Sequence, residues 1–310
     1  MRSEAAPVPL PLIEEIPVRS IPKSALRLVF LFCIVTCIAT RASASEVEKA
    51  LTEMKAGRWK QALEVAGAVK AESSEFARAQ YVCGETYLVL GDAKLAEASF
   101  RAVLGKKPDA APAIVGLGRA LTLGDKAEEA VTVLADVVRR DASDAMALLA
   151  LGQAHLALKK AREAKLELGK AYELEPTNPE VARGWVEYLF TENDLAKASK
   201  VAQDLGKALP AHAMGPFLEG LALERDHKDS KALEAYELAL KRDPNFLDAH
   251  KNLAILCHTQ NPLYQDTERT QKALEHYERY FALGGKDDEL KHVYEQFKSF
   301  YEAYMQPKKG

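Results

Sequence analysis

The sequence predicts an all-α protein built as a stack of helix-turn-helix units, and three observations carry that expectation. Helix-favouring residues dominate, with 48% hydrophobic and 28% charged residues but only 7% aromatic ones in 310. Apolar residues recur at i, i+3, i+4 and i+7, as in Leu148, Leu151, His155 and Leu158. Three residue series also repeat with one period of 34. They are Gly84, Gly118, Gly152 and Gly220; Ala62, Ala96, Ala130, Ala164, Ala198 and Ala232; and Pro108, Pro176, Pro210 and Pro244, with Ala142 in the one gap.

Packing two antiparallel helices explains each series. Glycine inside a helix costs about 1 kcal/mol relative to alanine, so its recurrence marks a close approach of the partner helix. The alanine twelve residues later sits on that partner and is expected to permit the same contact. Proline cannot continue a helix without losing a hydrogen bond, so it marks the passage to the next unit. The Gly-Asp pairs at 91–92 and 124–125 lie 33 apart, off the period, and read as a turn displaced by one residue.

Taken in order, the chain opens with a leader, residues 1–44. Residues 28–40, LVFLFCIVTCIAT, are uncharged and apolar, preceded by Arg19, Lys23 and Arg27 and followed by Ala42-Ser43-Ala44. Basic flank, short apolar run and A-x-A site are the parts of a secretory signal peptide. Thirteen residues rise about 20 Å as a helix, short of a bilayer core about 30 Å thick. Cleavage after Ala44 would place the protein outside the cytoplasm, periplasmic or secreted; the alternative is an uncleaved anchor in the inner membrane. Cys33 and Cys37 lack the setting of a lipoprotein box. The acidic, proline-rich start contains Glu4, Glu14 and Glu15 and is unusual in a leader, so translation from a downstream site such as Val18 is one reading.

Residues 43–287 then divide into seven units, 43–76, 77–110, 111–144, 145–178, 179–212, 213–246 and 247–287. The seventh carries its second alanine at Ala273, seven residues late, which implies an insertion near 260–270. There Asn261-Pro262 signals a turn, and Asp266 or Thr267 can cap the following helix. Residues 288–310 form a final amphipathic helix and tail. Val293, Phe297, Phe300 and Tyr304 fall on one face, with Tyr294 and Tyr301 off it, and this face should cover the exposed end of the stack.

At this point the chain resembles a known family. Gln80, Cys83, Gly84, Tyr87, Ala96, Phe100 and Pro108 follow the W-x2-L-G-x2-Y, A-x3-F, P pattern of tetratricopeptide repeats, as do Leu148, Leu151, Gly152, His155, Ala164, Leu168 and Pro176. The leader suggests the exported bacterial type. The resemblance implies a right-handed superhelical solenoid whose first helices line a concave groove that binds peptides or partner proteins. The family's groove positions fall here on Arg78, Tyr81, Glu85, Arg119, Gln153, Arg183, Glu187, Phe190, Phe217 and Lys251, and also on Leu88, Pro112, Val115, Thr122, Met146, Leu149, Leu156, Glu180, Met214, Leu221, Glu224, Asp248, Ile255 and His258. Lys251 and Asn252 fit the carboxylate clamp of some members, but Ile255 stands where the family has asparagine.

The function classes narrow accordingly. A net charge of −3 and a pI near 6.2 argue against a nucleic-acid partner. None of the H-E-x-x-H, C-x-x-C, G-x-S-x-G or P-loop patterns occurs. His250 and His258 lie two helical turns apart with no third ligand apparent, and Cys83 and Cys257 should be buried free thiols too far apart to bridge. The expectation is a non-enzymatic scaffold without metal or cofactor in the cell envelope. The alternative keeps the same solenoid on an uncleaved anchor, as an assembly factor of a membrane complex that touches the membrane only through the leader.

Overall fold

The structure is a computed structural model and describes residues 45–260 and 266–304. The leader, residues 261–265 of the insertion and the C-terminal tail lie outside the described residues. From Glu46 onward the chain forms one compact unit. Its helices are α1 (Glu46–Lys55), α2 (Trp59–Gly67), α3 (Phe76–Val89), α4 (Ala93–Lys106), α5 (Ala111–Leu123), α6 (Ala127–Arg140), α7 (Ala145–Ala157) and α8 (Ala161–Leu174). They continue as α9 (Pro179–Thr191), α10 (Leu195–Ala208), α11 (Met214–Arg225), α12 (Asp229–Arg242), α13 (Leu247–Thr259), α14 (Thr267–Ala282) and α15 (Asp288–Tyr304). These are seven consecutive pairs and a final helix. Each helix packs on its neighbours in the chain, and the first helix of a pair also packs on the first helix of the next through α11. Among the described residues no helix is long and apolar enough to cross a membrane.

Local chemistry starts the helices where the spacing requires. The side chains of Asp92, Asp144, Asn178, Asp194 and Asp266 accept from backbone amides two or three residues on, capping α4, α7, α9, α10 and α14. Pro179 occupies the first turn of α9, where its missing N–H would be unpaired in any case.

The glycine series does mark close approach, but the partner differs from expectation. The alanines at 62, 96, 130, 164, 198 and 232 are all fully buried. What stands over each glycine is the larger residue four positions beyond the alanine. A Cβ on Gly84 would meet the Phe100 ring at 2.7 Å, on Gly118 the Leu134 Cγ at 2.5 Å, on Gly152 the Leu168 Cγ at 2.5 Å, and on Gly220 the Tyr236 ring at 2.5 Å. The glycine is thus a socket for the bulky residue, and the alanine lets the backbones come near enough to fill it.

The turn has not moved either. Gly57, Gly91, Asp125, Lys159, Asn193 and His227 all have positive φ, between 56° and 77°, and are spaced by 34. In the third pair Gly124 ends α5 and Asp125 takes the left-handed position, so the letters shift while the backbone keeps the period.

The final helix packs on α14 through a different stripe from the expected one. Leu290 and Phe297 are buried, with Tyr294 and Tyr301 packed against the same cluster, whereas Val293 is 39% exposed. The stripe at i, i+4, i+7 and i+11 begins at Leu290, next to the Gly284-Gly285 turn that sets the approach of the helix. Tyr294 stacks obliquely on Tyr277 and Phe281 of α14, which draws it into the contact.

The stack closes on itself. Asn245, between α12 and α13, donates from Nδ2 to the Ala56 carbonyl across 189 residues at 2.7 Å and accepts from Arg279 Nη2 at 2.6 Å. Lys286 pairs with Asp92 at 2.5 Å, and Leu90 lies 3.1 Å from the Cβ position of Gly284. Leu90 is buried within the hydrophobic cluster of the last four pairs, and Trp59 and Leu63 pack against that cluster too. The turns of the first two pairs therefore meet the last two pairs and the α14–α15 turn.

Candidate functional site

Closure turns the groove into a cavity of about 580 Å³. Its wall draws on all seven pairs, from Trp59 of α2, Leu88 of α3 and Arg119 of α5 through Leu149, Gln153 and Leu156 of α7 to Glu180, Arg183 and Glu187 of α9, Met214 of α11, and Asp243, Phe246 and Asp248 around the start of α13.

Two arginines organise the charged part. Arg119 Nη1 donates to Glu85 at 3.0 Å, and its Nη2 lies 3.3 Å from Glu180 two pairs further on. Arg183 Nη1 reaches Asp248 at 2.6 Å, again two pairs on, and its Nε donates to Glu187 at 3.1 Å. Burial pushes the Glu85 carboxyl above its usual value despite the opposing pull of Arg119. Burial also works against the charge on Arg183, but Asp248 and Glu187 outweigh it and hold the guanidinium firmly protonated. Burial and the neighbouring Glu85 push the Tyr81 hydroxyl well above its ordinary range.

Of the twenty-four expected groove residues, eleven line the cavity, Arg119, Gln153, Arg183 and Glu187 among them. Glu85 stands behind Arg119, and Tyr81 packs edge-on against Phe100 at 5.7 Å. Phe190 is half-buried under Arg225, whose guanidinium lies 4.4 Å from the ring centre. Lys251 is tied to Asp287 at the start of the final helix at 2.6 Å. Arg78 pairs with Glu48 on the exposed surface and is not on the cavity wall. Phe217 is a correction. It is 1% exposed and packed against Phe246 and Tyr236, so it belongs to the core and has no surface to offer a peptide. Its turn of α11 faces the socket of Gly220, which Tyr236 fills.

Trp59 and Asp243 were not legible as wall residues. Trp59 lies on a second helix, outside the groove positions, and reaches the cavity only because the stack closes. Asp243 sits just past α12 for the same reason.

The remaining candidates resolve into packing. His155 is buried and bonded through Nδ1 to Glu167 at 2.6 Å. His250 bonds to the Pro244 carbonyl and, at 3.0 Å, to His276 rather than approaching His258, which stacks on Phe297. Among the described residues no group of three or more His, Cys, Asp or Glu could hold a metal ion. Cys83 and Cys257 are buried free thiols, and burial raises both to about 11.

Paired helices in register, glycine sockets and a lined interior define a helical-repeat solenoid. Three tetratricopeptide repeat family models match, over residues 47–111, 90–154 and 146–178. The chain is a member of the tetratricopeptide repeat family. No curated protein matches it in sequence. Among solved structures, a tetratricopeptide repeat protein from Parabacteroides merdae is similar with a TM-score of 0.53 and 12% identity, over 82% of this chain and 97% of that one. Human IFIT1, solved as a dimer with m7Gppp-AAAA, gives 0.52 and 14% over 85% of this chain and 66% of that one. The Cut9–Hcn1 hetero-tetramer of the APC/C gives 0.48 and 15%, and this chain spans 59% of the chain it matches there. At these identities the likeness is one of fold.

Proposed function

We propose that this protein is a non-enzymatic scaffold that holds a peptide segment of a partner protein in the half-open cavity lined by its seven helix pairs. The observation that carries this reading is the convergence of Arg119, Gln153, Arg183 and Glu187, from three different pairs, on one cavity. The 34-residue register brings positions 119, 153 and 187 to one inner face, but helix packing does not require charged and polar side chains there. A photo-crosslinking residue in place of Gln153 should capture the partner in a native extract, and one in place of Leu166, 73% exposed on the outside of α8, should not. Capture only from position 166 would move the site to the outer surface.

The compartment belongs to the same proposal. The basic flank, the apolar run 28–40 and Ala42-Ser43-Ala44 support export with cleavage after Ala44, which places the scaffold in the cell envelope. Mass spectrometry of the mature protein should give Ser45 as its first residue. A chain that retains Leu28 to Thr40 would instead support the anchored scaffold of a membrane complex.

A further inference from the structure

Resting on that reading, we propose that the cavity selects a short basic peptide segment, whose lysine or arginine side chains meet Glu180, Glu187, Asp243 and Asp248 while its apolar residues lie against the leucine-rich wall. The cavity wall carries four carboxylates against two guanidiniums. Both guanidiniums are already engaged, Arg119 by Glu85 and Glu180 and Arg183 by Glu187 and Asp248. An entering anion would have to displace one of these carboxylates. An entering cation would find unbalanced negative charge and could join the existing pairs without breaking them.

The apolar part of the wall narrows the chemistry further. Leu88, Leu149, Leu156, Met214 and Phe246 offer a surface for aliphatic stems or neighbouring hydrophobic residues. About 580 Å³ lies within the range of sites that enclose a ligand of a few hundred daltons, which fits a few residues and not a folded domain.

A second observation distinguishes a peptide from a simple polyamine. Trp59 lines the cavity at the seam, and its indole Nε1 is buried with no acceptor in the protein. A buried donor left unpaired destabilises the closed seam. A peptide brings backbone carbonyls that can accept this hydrogen bond once the seam yields, whereas a protonated polyamine brings only donors.

The test uses the full chain and fluorescence anisotropy with three end-blocked hexapeptides, alternating leucine with lysine, glutamate or serine. The lysine peptide should bind at one site, more tightly at low salt, and at least tenfold more tightly than the other two. Glu180→Gln with Glu187→Gln should weaken it at least tenfold. That variant leaves each arginine one carboxylate partner, and an unchanged thermal melt confirms its fold. Spermine at the same concentration should not displace the peptide. Equal binding of all three peptides, or full affinity in the double variant, overturns basic selection and leaves peptide binding standing. Displacement by spermine reduces the site to an amine pocket and overturns the peptide claim. If none of the three peptides binds, the selection proposed here falls, and crosslinking at position 153 decides separately whether the cavity holds a partner at all.

Discussion

Replacing Gly57 by alanine, with Gly91→Ala as its control, tests the closure on which the cavity depends. The two glycines occupy the same turn position in successive pairs, with φ of +67° and +77°. Left-handed backbone costs a residue with a Cβ about 1–2 kcal/mol, and that cost is common to both variants. Their surroundings differ. A Cβ on Gly57 would lie 2.5 Å from the Asn245 Cβ, while one on Gly91 would have Lys286 O as its nearest neighbour at 3.7 Å, an ordinary contact. Relieving the first clash means straining the seam, at about 1–3 kcal/mol for an overpacked contact, or parting it and losing the Asn245–Ala56 hydrogen bond at about 1 kcal/mol. Gly57→Ala should therefore destabilise the protein by about 1–3 kcal/mol more than Gly91→Ala in urea unfolding followed by circular dichroism. Made in both backgrounds, Asn245→Gly should remove most of that difference, because the clashing carbon is gone and the lost hydrogen bonds are common to both. Two single variants equal within about 0.5 kcal/mol would refute the closed arrangement, since an open stack has no Asn245 near Gly57.

Three further outcomes follow from the same geometry. Gly152→Ala should destabilise by about 1–3 kcal/mol in the same assay, because the new methyl meets Leu168, whereas a non-interfering glycine-to-alanine change in a helix would stabilise by about 1 kcal/mol. Lys159→Gly should raise stability by about 0.5–1 kcal/mol, since Lys159 holds φ at 59° and glycine removes the left-handed penalty at some entropic cost. Burial, and then the proximity of His250, lower His276 from 6.5 to about 4, so between those values the unfolded chain binds the extra proton. Stability should be full above pH 6.5 and decline by about 2 kcal/mol as pH falls toward 4, and His276→Asn should flatten that decline in pH-dependent melts.

The helix pairs were legible because their signals are local. Asp92, Asp144, Asp194 and Asp266 cap helices a few residues away, and the glycine, alanine and proline series repeat wherever the same contact repeats. The left-handed turn was only half legible. Glycine announces it at 57 and 91, but aspartate, lysine, asparagine and histidine adopt it at 125, 159, 193 and 227 with no letter in common. The stripe of the last helix was misjudged by one turn position because Leu290 anchors it against α14, and an isolated helix with aromatic residues on two faces does not say which face its neighbour will take.

The cavity was legible only in part, and Phe217 and Trp59 show why. The family's groove positions place Phe217 on the inner face, but the packing of α11 against Tyr236 and Phe246 draws its ring into the core. Trp59 carries no groove signal and becomes a wall residue through contacts made far along the chain. The sequence by itself determined the seven helix pairs, their 34-residue register and the close approach at the glycines, because each rests on residues within about twenty positions of one another, while the bulky residue that fills each glycine socket emerged only from the packing. Only the tertiary structure decided that the stack closes, that Arg119 and Arg183 each bridge to a helix two pairs on, and that the cavity between them is lined by more carboxylates than guanidiniums. Small rotations between successive pairs add up along the stack, and whether Ala56 meets Asn245 depends on their sum, which no single repeat encodes.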